Sequence, residues 1–89
     1  MKEKFRAVVL CHKKGKGTYK LIPLEPLTFN LALLKEKFPD AVSSSQDVLM
    51  LRKEGITYTI MKNGKILIEG IEPDTPEYAL ELLENLSLE

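Results

Sequence analysis

Residues 59–70 read TIMKNGKILIEG. Two short apolar runs flank an Asn-Gly pair, and a glycine closes the second run. Asn-Gly between such runs is a strong hairpin signal, because a two-residue type I′ turn needs positive φ at both central positions. That turn predicts a register: Lys62 opposite Lys65, Met61 opposite Ile66, Ile60 opposite Leu67, Thr59 opposite Ile68 and Tyr58 opposite Glu69. Side chains alternate between the two faces of a strand. One face then carries Ile56, Tyr58, Ile60 and Leu67; the other carries Thr57, Thr59, Met61, Ile66 and Ile68. Tyr58, Ile60 and Leu67 are read as the core face. Met61, Ile66 and Ile68 are read as an open apolar face that meets a partner. The alternative is that a longer strand or another hairpin curls over that second face.

The rest of the chain builds around this ribbon. Residues 5–10 (FRAVVL) read as a strand, and residues 18–24 alternate as a second one, with Tyr19, Leu21 and Pro23 against Lys20, Ile22 and Leu24. The basic, glycine-containing stretch 12–17 (HKKGKG) joins them as a turn. Pro23 and Pro26 end the pairing, because proline has no N–H to donate. Residues 27–38 are expected to form a helix, with Thr28 as N-cap and Leu27, Leu31, Leu34 and Phe38 on one face. Pro39 stops it. Residues 40–46, with three consecutive serines, read as a polar link. A third strand is expected at 47–53, a fourth at 56–61 and a fifth at 66–69. Thr75-Pro76-Glu77 has the signature of a helix start: a capping hydroxyl, proline at the first helical position, and an acid near the positive end of the dipole. Ala79, Leu82, Leu83 and Leu86 form its apolar stripe. The predicted order is β-β-α-β-β-β-α, a single α+β domain with an antiparallel sheet and both helices on one face. Leu88 and Glu89 read as a cloning scar and are given no weight.

Size and composition narrow the functional classes. The chain has 89 residues, 44% hydrophobic and 29% charged, so one small core must use most of the apolar residues and leaves little for a deep pocket. One cysteine and one histidine allow neither an internal disulfide nor a cysteine-based metal site. The apolar run at residues 7–10 is too short for a signal peptide, and no run reaches the ~20 apolar residues of a membrane helix. A cytoplasmic, non-membrane protein is expected, with no metal and no cofactor.

Net charge is zero, yet residues 1–20 are net +6 and residues 69–89 are net −7. One reading is that the two ends lie together and attract. The other is two functional faces, one for an anionic partner and one for a basic partner. Lys13, Lys14 and Lys16, with Lys62 and Lys65 at the hairpin tip, are the candidates for anion or nucleic-acid binding. The lysine loop joins two strands, whereas a P-loop joins a strand to a helix, so a nucleotide cradle is not expected there. Cys11 and His12 are adjacent, which in a strand points them to opposite faces and separates thiol from base. Glu77, Glu81 and Glu84 share a helix face and read as a solvated surface. No catalytic constellation is present, and no enzyme is expected.

Residues 55–83 (GITYTIMKNGKILIEGIEPDTPEYALELL) resemble the C-terminal tail domain of ThiF/HesA-type, ubiquitin-activating-like adenylyltransferases. There too, a short apolar strand, a glycine-containing turn, a strand ending in glycine and an acidic helix follow one another. CHKKGKGTYKLIPLEP and DVLMLRKEG are similar in order to the same tail, so the resemblance spans residues 11–86. It is one of element order and turn residues. A weaker resemblance, over residues 48–86, is to one half-repeat of the TATA-box-binding protein; it departs at the start, where this chain places a hairpin before its helix. The first resemblance implies an accessory module that meets an activating enzyme or a small ubiquitin-like sulfur carrier. It carries over no catalytic residue, because the nucleotide-binding domain of those enzymes has no counterpart here. The second implies nucleic-acid binding through the open sheet face, which calls for a basic face with inserted apolar or aromatic wedges. A homodimer that buries the open face is the remaining partner reading.

Overall fold

In the computed structural model, which describes residues 2–88, one turn of 3-10 helix at Lys2–Lys4 leads into a hairpin of β1 (Phe5–Lys13) and β2 (Lys16–Pro23). Then follow α1 (Leu31–Lys37), β3 (Val42–Ser45), β4 (Val48–Lys53), β5 (Ile56–Met61), β6 (Ile66–Ile71) and α2 (Pro76–Leu86). The six strands form one antiparallel sheet in the order β1-β2-β6-β5-β4-β3. The segment through α1 carries the chain from β2 to the far edge. The meander β3 to β6 then returns strand by strand until β6 pairs with β2.

Alternation along the strands makes one face of this sheet the floor of the core. Two rows run across it. Ala7, Leu21, Ile66, Ile60 and Leu49 are successive cross-strand partners, and so are Val9, Tyr19, Ile68, Tyr58 and Leu51. Leu34 of α1 and Ala79, Leu82, Leu83 and Leu86 of α2 join the same buried cluster. Both helices therefore lie on one face, as the order of elements predicted. α2 starts as expected: Thr75 Oγ1 accepts from the Tyr78 N–H at 3.2 Å, and Pro76 and Glu77 occupy the first turn.

The structure corrects the sequence reading at four places. First, α1 begins at Leu31 rather than residue 27, and its cap is Asn30, whose Oδ1 accepts from the Leu33 N–H at 3.2 Å, in place of Thr28. Residues before it are drawn off as extended chain, because the Phe29 N–H donates to Lys62 O at 3.0 Å. Second, Val42–Ser45, read as a link, is an edge strand with all four residues exposed. It pairs with β4 through main-chain bonds that ask nothing of its side chains. Third, Leu88 is only 7% exposed and belongs to the core, so it is no inert tail; Glu89 lies outside the described residues.

The fourth correction is the register of the hairpin itself. Met61 N–H donates to Lys65 O at 2.9 Å, and Gly64 N–H donates to Met61 O at 3.0 Å. The loop thus has three residues, Lys62, Asn63 and Gly64, and only Gly64 takes a positive φ, +94°. This is the type I turn followed by a left-handed residue that forms the next commonest hairpin loop. The tertiary structure selects it. A Cβ on Gly64 would stand 2.7 Å from Leu27 O, so the extended segment before α1 docks directly on the glycine. Asn63 Oδ1 also accepts from the Lys65 N–H at 3.1 Å, closing an Asx-type turn. Ile60 consequently pairs with Ile66, Thr59 with Leu67, Tyr58 with Ile68 and Thr57 with Glu69. A slip of one residue exchanges the faces of the whole second strand.

Candidate interaction face

Among the described residues, no helix lies on the second face of the sheet. Its central row takes one residue from each strand: Val8, Lys20, Leu67, Thr59, Met50 and Val42, each the cross-strand partner of the next. Val8, Leu67 and Thr59 are half-buried by their neighbours within the sheet, and Met50 and Val42 are exposed at 38% and 63%. Met61 and Val48 pair on one side of this row, next to Lys65. On the other side Thr18, Glu69, Thr57 and Arg52 form a polar row. The face is therefore a central band, aliphatic except for Lys20 and Thr59, with a polar row on one side and Met61, Val48 and Lys65 on the other.

The predicted site residues fall differently. Met61 lies on this face and is half-buried. Ile66 and Ile68 do not: both are 0% exposed and pack in the core, which corrects their assignment to the open face. Leu67, assigned to the core, faces outward with Glu69. Lys13 and Lys16 are cross-strand partners at one end of the face, with Lys14 in the turn between them at φ +53°. Lys62 and Lys65 sit at the opposite end, since β2 and β6 pair from Gly17 with Ile71 to Leu21 with Ile66. Five residues of strand separate the two groups, roughly 17 Å. They form no single anion site.

What the sequence reading missed is the charge between those ends. Arg6, Lys13, Lys16, Lys20, Arg52 and Lys65 occupy positions of the open face, against one acid, Glu69. Among the described residues, none of these six bases is ion-paired. Near Lys13, Lys14 and Lys16, the backbones of Gly17, Gly55 and Gly70 complete a shallow basic cleft. The signal that finds the face is the Lys-Asn-Gly sequence at residues 62–64 read as a three-residue loop, which turns Leu67 outward and Ile66 and Ile68 inward.

The helix side is different in kind. Asp74, just before α2, is hydrogen-bonded through Oδ2 to His12 Nδ1. The His12 hydrogen bond lowers the Asp74 carboxyl below its ordinary pKa despite its desolvation, and the neighbouring Tyr19 phenol adds to the lowering. Burial, and then the nearby Asp74, push the Tyr19 phenol above its ordinary value. Gly17 leaves room for this carboxylate: a Cβ there would lie 1.9 Å from Asp74 Oδ1. Near the amino end, the Lys2 N–H donates to Glu84 Oε1 at 3.2 Å, which lowers the Glu84 carboxyl. The two ends of the chain thus touch through the Lys2 backbone and His12, whereas Arg6, Lys13, Lys16 and Lys20 of the basic segment occupy the open face, away from the acids of α2. Cys11 is exposed and pairs with Thr18 on the open face, whereas His12 pairs with Gly17 on the covered one.

Among the described residues, no group of three His, Cys, Asp or Glu is arranged to hold a metal ion, and no helix is long and apolar enough to cross a membrane. Neither a family model, nor a curated protein, nor a solved structure matches the chain.

Proposed function

We propose that this chain is a non-enzymatic interaction module that docks a protein partner on the open face of its sheet. One observation carries the reading: among the described residues, all the cover of the six-stranded sheet lies on one side, while the other presents a central row in which the aliphatic Val8, Leu67, Met50 and Val42 alternate with Lys20 and Thr59. An apolar band on a surface of this kind is a feature of contact sites. Met61 belongs to the same surface; Ile66 and Ile68 support it from beneath. The resemblance to the activating-enzyme tail suggests the partner class, an activating enzyme or a ubiquitin-like carrier, and a cytoplasmic location goes with it.

A second reading, nucleic-acid binding as the TATA-box-binding-protein resemblance implies, draws on Lys13, Lys14, Lys16, Lys62 and Lys65 at the two ends of the face. Against it, among the described residues no aromatic side chain lies on the open face: Tyr19 and Tyr58 are in the core. Affinity capture from cell extract at physiological salt, with the chain and its Leu67→Asp variant side by side, tests the first reading. A protein retained by the chain and lost by the variant supports it. Identical sets of retained proteins would remove it.

A further inference from the structure

We infer that the partner presents an acidic amphipathic segment: an apolar stripe edged by Asp and Glu that lies across the strands. The inference rests on reading the open face as a docking surface and names what docks there.

Charge is the first support. The chain is neutral overall, yet this face holds six bases and one acid, all six bases without a carboxylate partner among the described residues. The acids Glu77, Glu81 and Glu84 are on α2, on the other side of the sheet. A surface that leaves its bases unpaired is complementary to an anionic one. The arrangement is the second support. Lys13, Lys16 and Arg52 lie on one side of the central band, Arg6 and Lys65 on the other, and Lys20 within it. An apolar centre inside a charged rim is the anatomy of a protein–protein contact.

The same observations weigh against the other occupants. A second copy meeting face to face through a twofold axis would set like bases against each other. Single-stranded nucleic acid is held on sheets by stacking on aromatic rings, and this face has none; nor does any Asn or Gln occupy its strand positions for reading base edges. Size fits a helix: six strands spaced about 4.8 Å span about 24 Å, the length of about 16 helical residues.

The probe is a synthetic helical peptide of about 20 residues, with Leu at i, i+3, i+4 and i+7 spacing and Glu along both edges of the stripe. A companion peptide replaces every edge Glu by Gln. Each is titrated into the isotopically labelled chain and followed by amide shifts, beside a short DNA duplex. The Glu peptide is expected to shift amides around Leu67, Thr59 and Met50, and to bind about tenfold tighter than the Gln peptide at low salt. Raising salt should shrink that difference. Lys20→Gln with Arg52→Gln, both at sites where no buried partner is lost, should reduce the preference while leaving the spectrum dispersed. Equal binding of the two peptides overturns the inference, and so does tighter binding of the duplex at the same face. If Leu67→Asp still removes the captured cell protein, the docking surface stands and only the partner's acidity has failed. If Leu67→Asp changes nothing, the docking reading has failed as well.

Discussion

Three successive residues of β6 divide the molecule. Ile66 and Ile68 are 0% exposed, beneath α2 and against Tyr19, Leu21, Tyr58 and Ile60; Leu67 between them looks out over a face that no helix covers. The side chains are chemically alike, and only their parity differs. What separates core from surface is thus the length of one turn, and what sets that length is a glycine pressed against the carbonyl of Leu27. The same sequence feature, X-Gly between two strands, gives two-residue turns elsewhere. Lys14-Gly15 and Glu54-Gly55 both adopt positive φ at both positions, and their flanking residues pair directly. At Asn63-Gly64 the neighbouring segment decides otherwise.

The largest effect should come from the covered side. Ile66→Ala leaves a cavity in a fully buried row and is expected to cost about 2–5 kcal/mol of folding stability, read by urea unfolding. Gly64→Ala comes next. It strains a left-handed position by about 1–2 kcal/mol and drives a methyl toward Leu27 O. The lost stability should be accompanied by shifted amides at both Leu27 and Lys65. Gly17→Ala should cost about 1–3 kcal/mol as an overpacked site, because the new methyl displaces Asp74 from His12 and presses on Tyr19.

A smaller effect depends on pH. The Asp74 carboxyl is held below its ordinary value in the folded chain. Its contribution is therefore present at neutral pH, above the unfolded value of about 3.9. It is lost as pH falls from there through the lower folded value. Asp74→Asn should flatten the decline of stability below about pH 4. A residual slope should remain from Glu3 and Glu84, whose carboxyls are lowered in the same direction. Stability unaltered in its pH dependence by Asp74→Asn would mean that the contact with His12 joins the two ends of the chain without favouring the folded state.

Much of this fold was legible. The β-branched runs, the turn glycines and the Thr75-Pro76-Glu77 start marked five of the six strands and α2, because each is decided by local chemistry. The parts that were not legible depend on distant contacts. Residues 27–29 have helical spacing, but the Phe29 N–H is spent on Lys62 O of the hairpin loop, and α1 starts at the Asn30 cap. Val42–Ser45 has no apolar alternation because an edge strand with no buried face needs none. The site suffered most. Met61 was placed on the right face, but Ile66 and Ile68 were not, since one residue of register inverts the strand. The bases Arg6, Lys20 and Arg52 are far apart in sequence, and only the sheet order gathers them on one surface.

The most direct test compares Ile66→Asp with Leu67→Asp in urea unfolding and in a dispersed amide spectrum. A carboxylate at residue 66 is forced into the core without a partner and should unfold the chain or leave it barely stable. At residue 67 it enters a water-facing surface and should alter stability by no more than about 0.5–1 kcal/mol, with the spectrum intact. If Leu67→Asp unfolds the chain as Ile66→Asp does, that face is part of the core and the docking surface does not exist.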